Sequence, residues 1–351
     1  WPLSQERVKI EANALMEERR SDPAHVPEVY EYDEDMATIV MRYIAPPCVI
    51  LRGQLIQGAM FPSLAGDVAE FLASTLFDTS LLNVSTERFY EMQNKYTNTA
   101  MRRLTEQVIF TDPYMDAPNN RHTTPQLDAI AVNFRTDLAA IQAITKLKLK
   151  FTSNAQALLH GDLHTGSIMA SETETLVIDP EFAFYGPMGF DIGAFIANMI
   201  LSYFSHAGHE TAAERRDQHR EYCISCIRDV WNQFSSKFLS RWTAAVVGGK
   251  AGDMCPAGIS WGAASADGKS TVLQTVQDQY MKELLADTLG FAGAKIIRRI
   301  LGIAHVEDLE SIKDQDLRAE CEKKALALGR QLLVDHESIL DIDTVLKMLK
   351  Q

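Results

Sequence analysis

No stretch of this chain is apolar for long enough to cross a bilayer, which excludes a helical membrane span. A charged-then-apolar leader is also lacking at the front, although the chain opens on Trp1 and not on a methionine. Basic charge is in deficit. Against 34 Lys and Arg stand 47 Asp and Glu, a formal net charge of −13 that argues against nucleic-acid binding, which rests on cations neutralising phosphates. Cysteine is sparse: Cys48, Cys223, Cys226, Cys255 and Cys321 make an odd, scattered set, as expected of reduced thiols in a cytoplasmic protein. Cys223 and Cys226 form a CxxC inside the helical pattern EYCISCIRDVWNQF. No second pair completes a zinc site there, and one turn of a helix is the expectation. Neither a G-x-G-x-x-G run nor a Walker A run occurs anywhere.

What is present suits a globular protein with a sizeable core: 351 residues, 46% of them apolar and 23% charged. Residues 4–20 alternate apolar and charged positions at helical spacing, with Ser4 placed to cap. Residues 26–44 predict a hairpin, EVYEYD and ATIVMRYI around a Glu34-Asp35 turn, with Pro46-Pro47 stopping the second strand. Helical spacing then dominates from Gln54 to Gln156, notably in GDVAEFLASTLFDTSLL and DAIAVNFRTDLAAIQAITKLKLKF. The Pro/Asn-rich stretch 111–125 predicts a surface loop between helices. Another irregular stretch, 246–270, holds six glycines and predicts a long flexible insertion. Two domains follow from this pass. Residues 1–45 form a small front portion of helix plus hairpin, and residues 46–351 a mostly helical portion with one short hairpin at its heart. That is an α+β arrangement, the two-lobed protein-kinase-like fold.

The chemistry concentrates in His160-Gly161-Asp162-Leu163-His164-Thr165-Gly166-Ser167, followed seventeen residues after Asp162 by Asp179-Pro180-Glu181. Between them SIMASETETLVID predicts two short strands around a polar turn. Asp162 offers a carboxylate to take a proton from a hydroxyl, and Asp179 and Glu181 offer oxygens for Mg2+, which needs only one or two carboxylates. The spacing matches the H-R-D-x-x-x-x-N loop of protein kinases. Gly161, however, replaces the Arg, Ser167 stands at the Asn position as a candidate metal ligand, and D-P-E replaces D-F-G. Loss of the Arg removes the usual partner of a phosphorylated activation loop, which favours a small-molecule kinase. Asp191 is expected either to hold the catalytic loop through its backbone or to cap the helix GAFIANMI. A two-metal phosphoesterase is the competing reading of GDLH and GHE, but the remaining histidines stand singly, so His160 and His164 are expected to brace the loop.

Together HGDLHTGSIM, VIDPEFAFYGPMGFDIGAFIAN, PPCVILRGQLIQG, DTLGFAGAKIIRRILGIAHVEDLESI and WPLSQERVKIEA resemble the S-methyl-5-thioribose kinase family, particularly its plant type, over nearly the whole chain. The resemblance implies ATP-dependent phosphorylation of the 1-hydroxyl of methylthioribose in methionine salvage, by a cytoplasmic homodimer using ATP and Mg2+. It implies that Asp162 is base and sugar contact, and that Asp179, Pro180 and Glu181 hold metal and nucleotide. Arg298 and Arg299 would reach the substrate side, Arg42, Tyr43 and Ile44 would form the adenine hinge, and Glu11 would pair with the ATP lysine. Adjacent arginines on a helix point apart, so one is expected to meet ligand while the other braces a carboxylate. The family carries its Gly-rich loop and ATP lysine ahead of the segment matching Trp1. Neither lies in these residues, so a truncated kinase is the expectation. Choline, homoserine or aminoglycoside kinase activity is the alternative within the fold, and a non-catalytic binding protein derived from a kinase the alternative outside it.

Overall fold

The structure, a computed structural model, describes residues 4–211, 214–262 and 271–351. Its first helix, α1 (Glu6–Ser21), buries Ala12, Ala14 and Leu15 together with the carboxyl of Glu18. Gln5 occupies the N-cap and no side chain caps the helix, so the capping expected of Ser4 does not occur. Strands β1 (Val29–Asp33) and β2 (Thr38–Met41) pair antiparallel, with Tyr32 opposite Ile39. The second strand ends at Met41, three residues earlier than its composition suggests. Arg42 N–H still donates to Glu28 O at 2.7 Å, and the chain then departs as a connector. Pro46 and Pro47 lie in that connector and do not terminate the strand.

Past the connector come β3 (Val49–Ile50), α2 (Leu51–Gln57), α3 (Leu64–Asp78), α4 (Thr86–Lys95) and α5 (Thr99–Phe110). The expected surface loop at 111–125 begins instead with a buried turn, Asp112–Tyr114, in which Asp112 accepts from Gln107 on its carboxylate and from Asn120 on its carbonyl. The single helix suggested at 128–151 is two, α6 (Asp128–Phe134) and α7 (Leu138–Ser153). Asp137 divides them because its carboxylate accepts from Ala140 N–H at 3.2 Å, an N-cap that starts a new helix.

Four three-residue strands then build the centre: β4 (Ala157–Leu159), β5 (Ile168–Ala170), β6 (Thr175–Val177) and β7 (Phe184–Gly186). The order β3-β5-β6 makes one antiparallel sheet, and β4 pairs with β7 in another. Helices α8 (Gly189–His209), α9 (Asp217–Val247), α10 (Val272–Leu301), α11 (Glu307–Glu310), α12 (Gln315–Asp335) and α13 (Ile342–Leu349) complete the chain. Helix α10 lies between α8 and α12, and α3 packs along α9. Phe110, Phe151, Phe190 and Phe291 meet at centroid separations of 5.0 to 6.3 Å. Each is at most 4% exposed, so each contributes about 1.5–3 kcal/mol by leaving water.

The described part of the glycine-rich stretch is anchored, contrary to expectation. Gly252 N–H donates to Leu82 O at 2.9 Å, Asp253 accepts from Thr86 N–H at 2.7 Å, and Trp242 Nε1 reaches the buried Cys255 sulfur at 3.4 Å. Residues 263–270 of that stretch lie outside the described residues. All five cysteines are free and buried, and Cys223 and Cys226 sit on α9 as one turn of its apolar side. No described helix is long and apolar enough to cross a membrane.

Candidate active site

The loop after β4 is held from below by Asp191. This carboxylate, 1% exposed, accepts from His160 N–H at 2.7 Å and from Gly161 N–H at 3.0 Å, one bond to each oxygen. Of the two expectations for Asp191 the loop brace is realised and the cap is not, since α8 begins two residues earlier at Gly189. Gly161 has a φ of +86°, and a Cβ there would collide with the Phe182 carbonyl. An arginine, as in H-R-D, therefore has no room, and only glycine adopts this backbone without strain.

Both histidines of the loop are oriented by backbone donors. Asp162 N–H donates to His160 Nδ1 at 3.2 Å, which leaves His160 Nε2–H to donate to Ile178 O at 2.9 Å. One imidazole thus ties the candidate base to the residue before Asp179. Gly166 N–H donates to His164 Nδ1 at 3.0 Å, so Nε2 carries the proton and faces Asp162 Oδ2 at 3.3 Å. The Ser167 hydroxyl is buried, donates to Asp162 O at 3.1 Å and lies 3.1 Å from His164 Nδ1, so its proton is used within the loop.

Asp162 faces a cavity of about 340 Å³ that α10 closes with Lys295, Arg298 and Arg299. Lys295 Nζ lies 3.1 Å from Asp162 Oδ1, and Arg299 Nη2 lies 4.0 Å from the same oxygen. Burial works to raise the Asp162 carboxyl, but Lys295, His164 and Arg299 outweigh it and hold the group well below the usual carboxylate range. The two arginines differ by partner. Arg299 Nη1 donates to Ala304 O at 2.8 Å and leaves only its Nε buried without a partner, whereas both Nε and Nη1 of Arg298 are buried with no hydrogen-bond partner among the described residues. Both line one cavity, so the expectation that they diverge to separate faces is not met. Sequence reasoning missed Lys295. Its signal was K-x-x-R-R, a spacing that brings all three cations to one side of a helix. The rest of the lining is mainly apolar: Leu104, Val108 and Ile109 of α5, with Phe182 and Ile303, and Thr105 among them.

The hairpin β5–β6 delivers Asp179 two residues beyond its last strand residue, with a φ of +66°. An L-residue in that region costs of order 1–3 kcal/mol, tolerated where surrounding structure demands it. Oxygens of Glu11, Asp179 and Glu181 come within 4.8 Å of one another, α1 supplying the first and the turn after β6 the others. Burial, then Glu181 and Asp162, push Asp179 up to about 6; burial, then Asp179 and Glu181, push Glu11 up to about 7. Arg7 Nη1 offsets part of this charge at 2.8 Å from Glu181. Asn98 fixes the D-P-E backbone, its Nδ2 donating to Glu181 O and Ala183 O at 3.0 Å each, and Pro180 between the acids is buried. Three crowded hard oxygens with raised affinity for positive charge fit a magnesium ion. Arg42, Tyr43 and Ile44 lie in the connector after β2. Arg42 pairs with Glu174 at 2.8 Å and Tyr43 is 81% exposed. Among the described residues no hydrogen bond or ion pair joins these three to the carboxylate cluster.

The profile of the family described as "Phosphotransferase enzyme family" matches residues 2–230. A protein of Oryza sativa subsp. japonica named methylthioribose kinase 1 is 47% identical over 347 residues, covering 99% of this chain and 79% of the rice protein. The methylthioribose kinase of Escherichia coli O45:K1 (strain S88 / ExPEC) is 40% identical over 352 residues, covering 100% of this chain and 81% of that one. Among solved structures, a glucosamine kinase overlaps with a TM-score of 0.48 at 13% identity, over 90% of this chain and 69% of its own.

Proposed function

Because the chain belongs to the phosphotransferase enzyme family and, within it, to the methylthioribose kinases, we propose that the Asp162 cavity is where its acceptor sugar is phosphorylated. The reaction is ATP-dependent transfer to the 1-hydroxyl of S-methyl-5-thioribose, giving the 1-phosphate and ADP, a step of methionine salvage. The observation that carries the assignment of the cavity is its lining: one carboxylate among three cations, and a mainly apolar remainder in which Thr105 contributes a hydroxyl. The charged part suits the hydroxyl that reacts. The wall formed by Leu104, Val108, Ile109, Phe182 and Ile303 suits the methylthio end, which has no hydrogen bonds to make.

In this reading Asp162 accepts the hydrogen bond of the 1-hydroxyl and aims its oxygen in line with the γ-phosphate. Its depressed basicity makes the proton move late, once the oxygen is already bonding to phosphorus. Arg298, whose Nε and Nη1 lack partners, meets the sugar oxygens and the incoming phosphoryl charge, while Arg299 braces Asp162 and the 304 carbonyl. Glu11, Asp179 and Glu181 would hold Mg2+, which when bound neutralises phosphate charge. On the family resemblance Pro180 accompanies the nucleotide, Arg42, Tyr43 and Ile44 form the adenine hinge, and residues 1–45 act as the nucleotide-side portion against the helical remainder. Among the described residues Glu11 forms no ion pair, Arg7 being paired with Glu181 instead, which also suits the lysine-partner role the resemblance gives it. The free cysteines favour a reducing, cytoplasmic compartment, and a homodimer follows from the resemblance alone.

Asp162→Asn is expected to lower turnover about 10²- to 10⁴-fold while Mg-ATP binding by calorimetry stays near wild type. Near-normal turnover would remove Asp162 from the role of base. An acceptor panel that phosphorylated choline and not methylthioribose would overturn the substrate.

A further inference from the structure

Lys295 is 2% exposed, and a buried ammonium needs compensation. It has two partners: Asp162 Oδ1 at 3.1 Å and the face of Phe190, whose ring centroid lies 4.2 Å from Nζ. Phe190 is itself wedged against Phe151 and Phe291 at 5.0 and 5.5 Å, so the ammonium rests on a rigid part of the core. The Asp162 carboxylate, by contrast, turns about a soft terminal bond with a broad rotamer well. Lys295 on Oδ1 and His164 on Oδ2 remove that freedom and set the plane of the carboxylate, while each oxygen keeps a lone pair for the acceptor.

We infer that Lys295 is the positioning residue of the transfer, acting through Asp162 by carrying the rigidity of the aromatic core to the carboxylate that aims the acceptor hydroxyl. The inference rests on the assignment of Asp162 above. Burial is what makes Lys295 suited to the role. An exposed lysine would sample many rotamers, whereas this one is held between a ring and a carboxylate, with α10 fixing its root. Arg299, at 4.0 Å from the same oxygen and already bonded to Ala304 O, adds charge more than direction.

A double-mutant cycle on the whole chain tests this. Lys295→Met keeps the volume beside Phe190 and deletes the ammonium. Turnover is expected to fall about a hundredfold, the cost of a misplaced reacting group, with KM for Mg-ATP unchanged. In an Asp162→Asn background the same substitution is expected to change the residual turnover less than about threefold, because the group it positions is gone. Lys295→Arg, which keeps the charge, should recover part of the loss. Equal fold-losses in both backgrounds would overturn the inference and leave the role of Asp162 standing. Near-normal turnover of Asp162→Asn alone would instead remove the reading on which it rests. Should Lys295→Met not fold, as judged by melting and Mg-ATP binding, Lys295→Gln takes its place in the cycle with the same two outcomes.

Discussion

Gly161 shows how a single position ties loop shape to chemistry. Its φ of +86° sets the direction in which Asp162 leaves β4, and the space where a Cβ would go is filled by the Phe182 carbonyl. Alanine there costs about 1–2 kcal/mol in backbone strain and forces Phe182 or the loop to move. Since Asp162 N–H bonds to His160 and Gly161 N–H to Asp191, the loop has little slack. Gly161→Ala is therefore expected to cut turnover about a hundredfold, with Mg-ATP affinity and far-ultraviolet circular dichroism near those of wild type. A variant with full turnover would show that the left-handed residue is incidental. At this scale the carboxylates that gather here, Asp162, Asp179 and Glu181, were legible as candidates, because His-Gly-Asp and Asp-Pro-Glu are contiguous runs. Lys295 was not. Its partner lies 133 residues away, and the K-x-x-R-R spacing puts three cations on one side of a helix without saying whether that side is buried or solvated.

At the scale of elements, the hairpin that ends in Asp179 is held from outside the helical body. His25, in the link between α1 and β1, accepts Val177 N–H on its carbonyl at 2.8 Å and sets its ring between Asp22 at 2.7 Å and Asp67 at 3.5 Å. Asp67 in turn accepts from Thr175 Oγ1 at 2.8 Å. Burial opposes charge on His25, but hydrogen bonds to Asp22 and Asp67 prevail and push it up to about 9. A raised folded value means that this stabilisation is fully present below about 6.5 and is lost as pH rises through 9. Melting of wild type and His25→Gln between pH 6 and 10 should show the largest gap at the acid end and a shrinking one above pH 8. A gap independent of pH would mean the imidazole carries no charge. Hairpins and helices of this kind were readable from periodicity, but their limits were not. The break at Asp137 came from a local side-chain cap on Ala140, and β2 ends at Met41 although Arg42 N–H still bonds Glu28 O, so neither limit follows from apolar periodicity.

Across the whole molecule, charge is sorted to opposite sides of Asp162. Glu11, Asp179 and Glu181 converge from α1 and the hairpin turn, while Lys295, Arg298 and Arg299 converge from α10. The segments that meet here are almost 300 residues apart in sequence, which is why composition alone, with its net charge of −13, gave no sign of a strongly basic cavity. The sorting has a consequence for nucleotide binding. A triphosphate without its cation meets three carboxylates, and at about 4 Å each such pair repels by roughly 4 kcal/mol even at an effective dielectric of 20. With Mg2+ present the same oxygens attract. Removing one of them should therefore act with opposite sign in the two conditions. Glu181→Gln is expected to weaken Mg-ATP binding by about tenfold, equivalent to about 1.4 kcal/mol, and to strengthen the residual binding of ATP in excess chelator. Raising ionic strength should narrow the second difference, since salt screens the repulsion between carboxylates and phosphates. Calorimetry of both proteins with and without Mg2+ reads the four affinities. A loss of the same sign and size in both conditions would show that Glu181 supports the fold of the turn through Arg7, and not the metal.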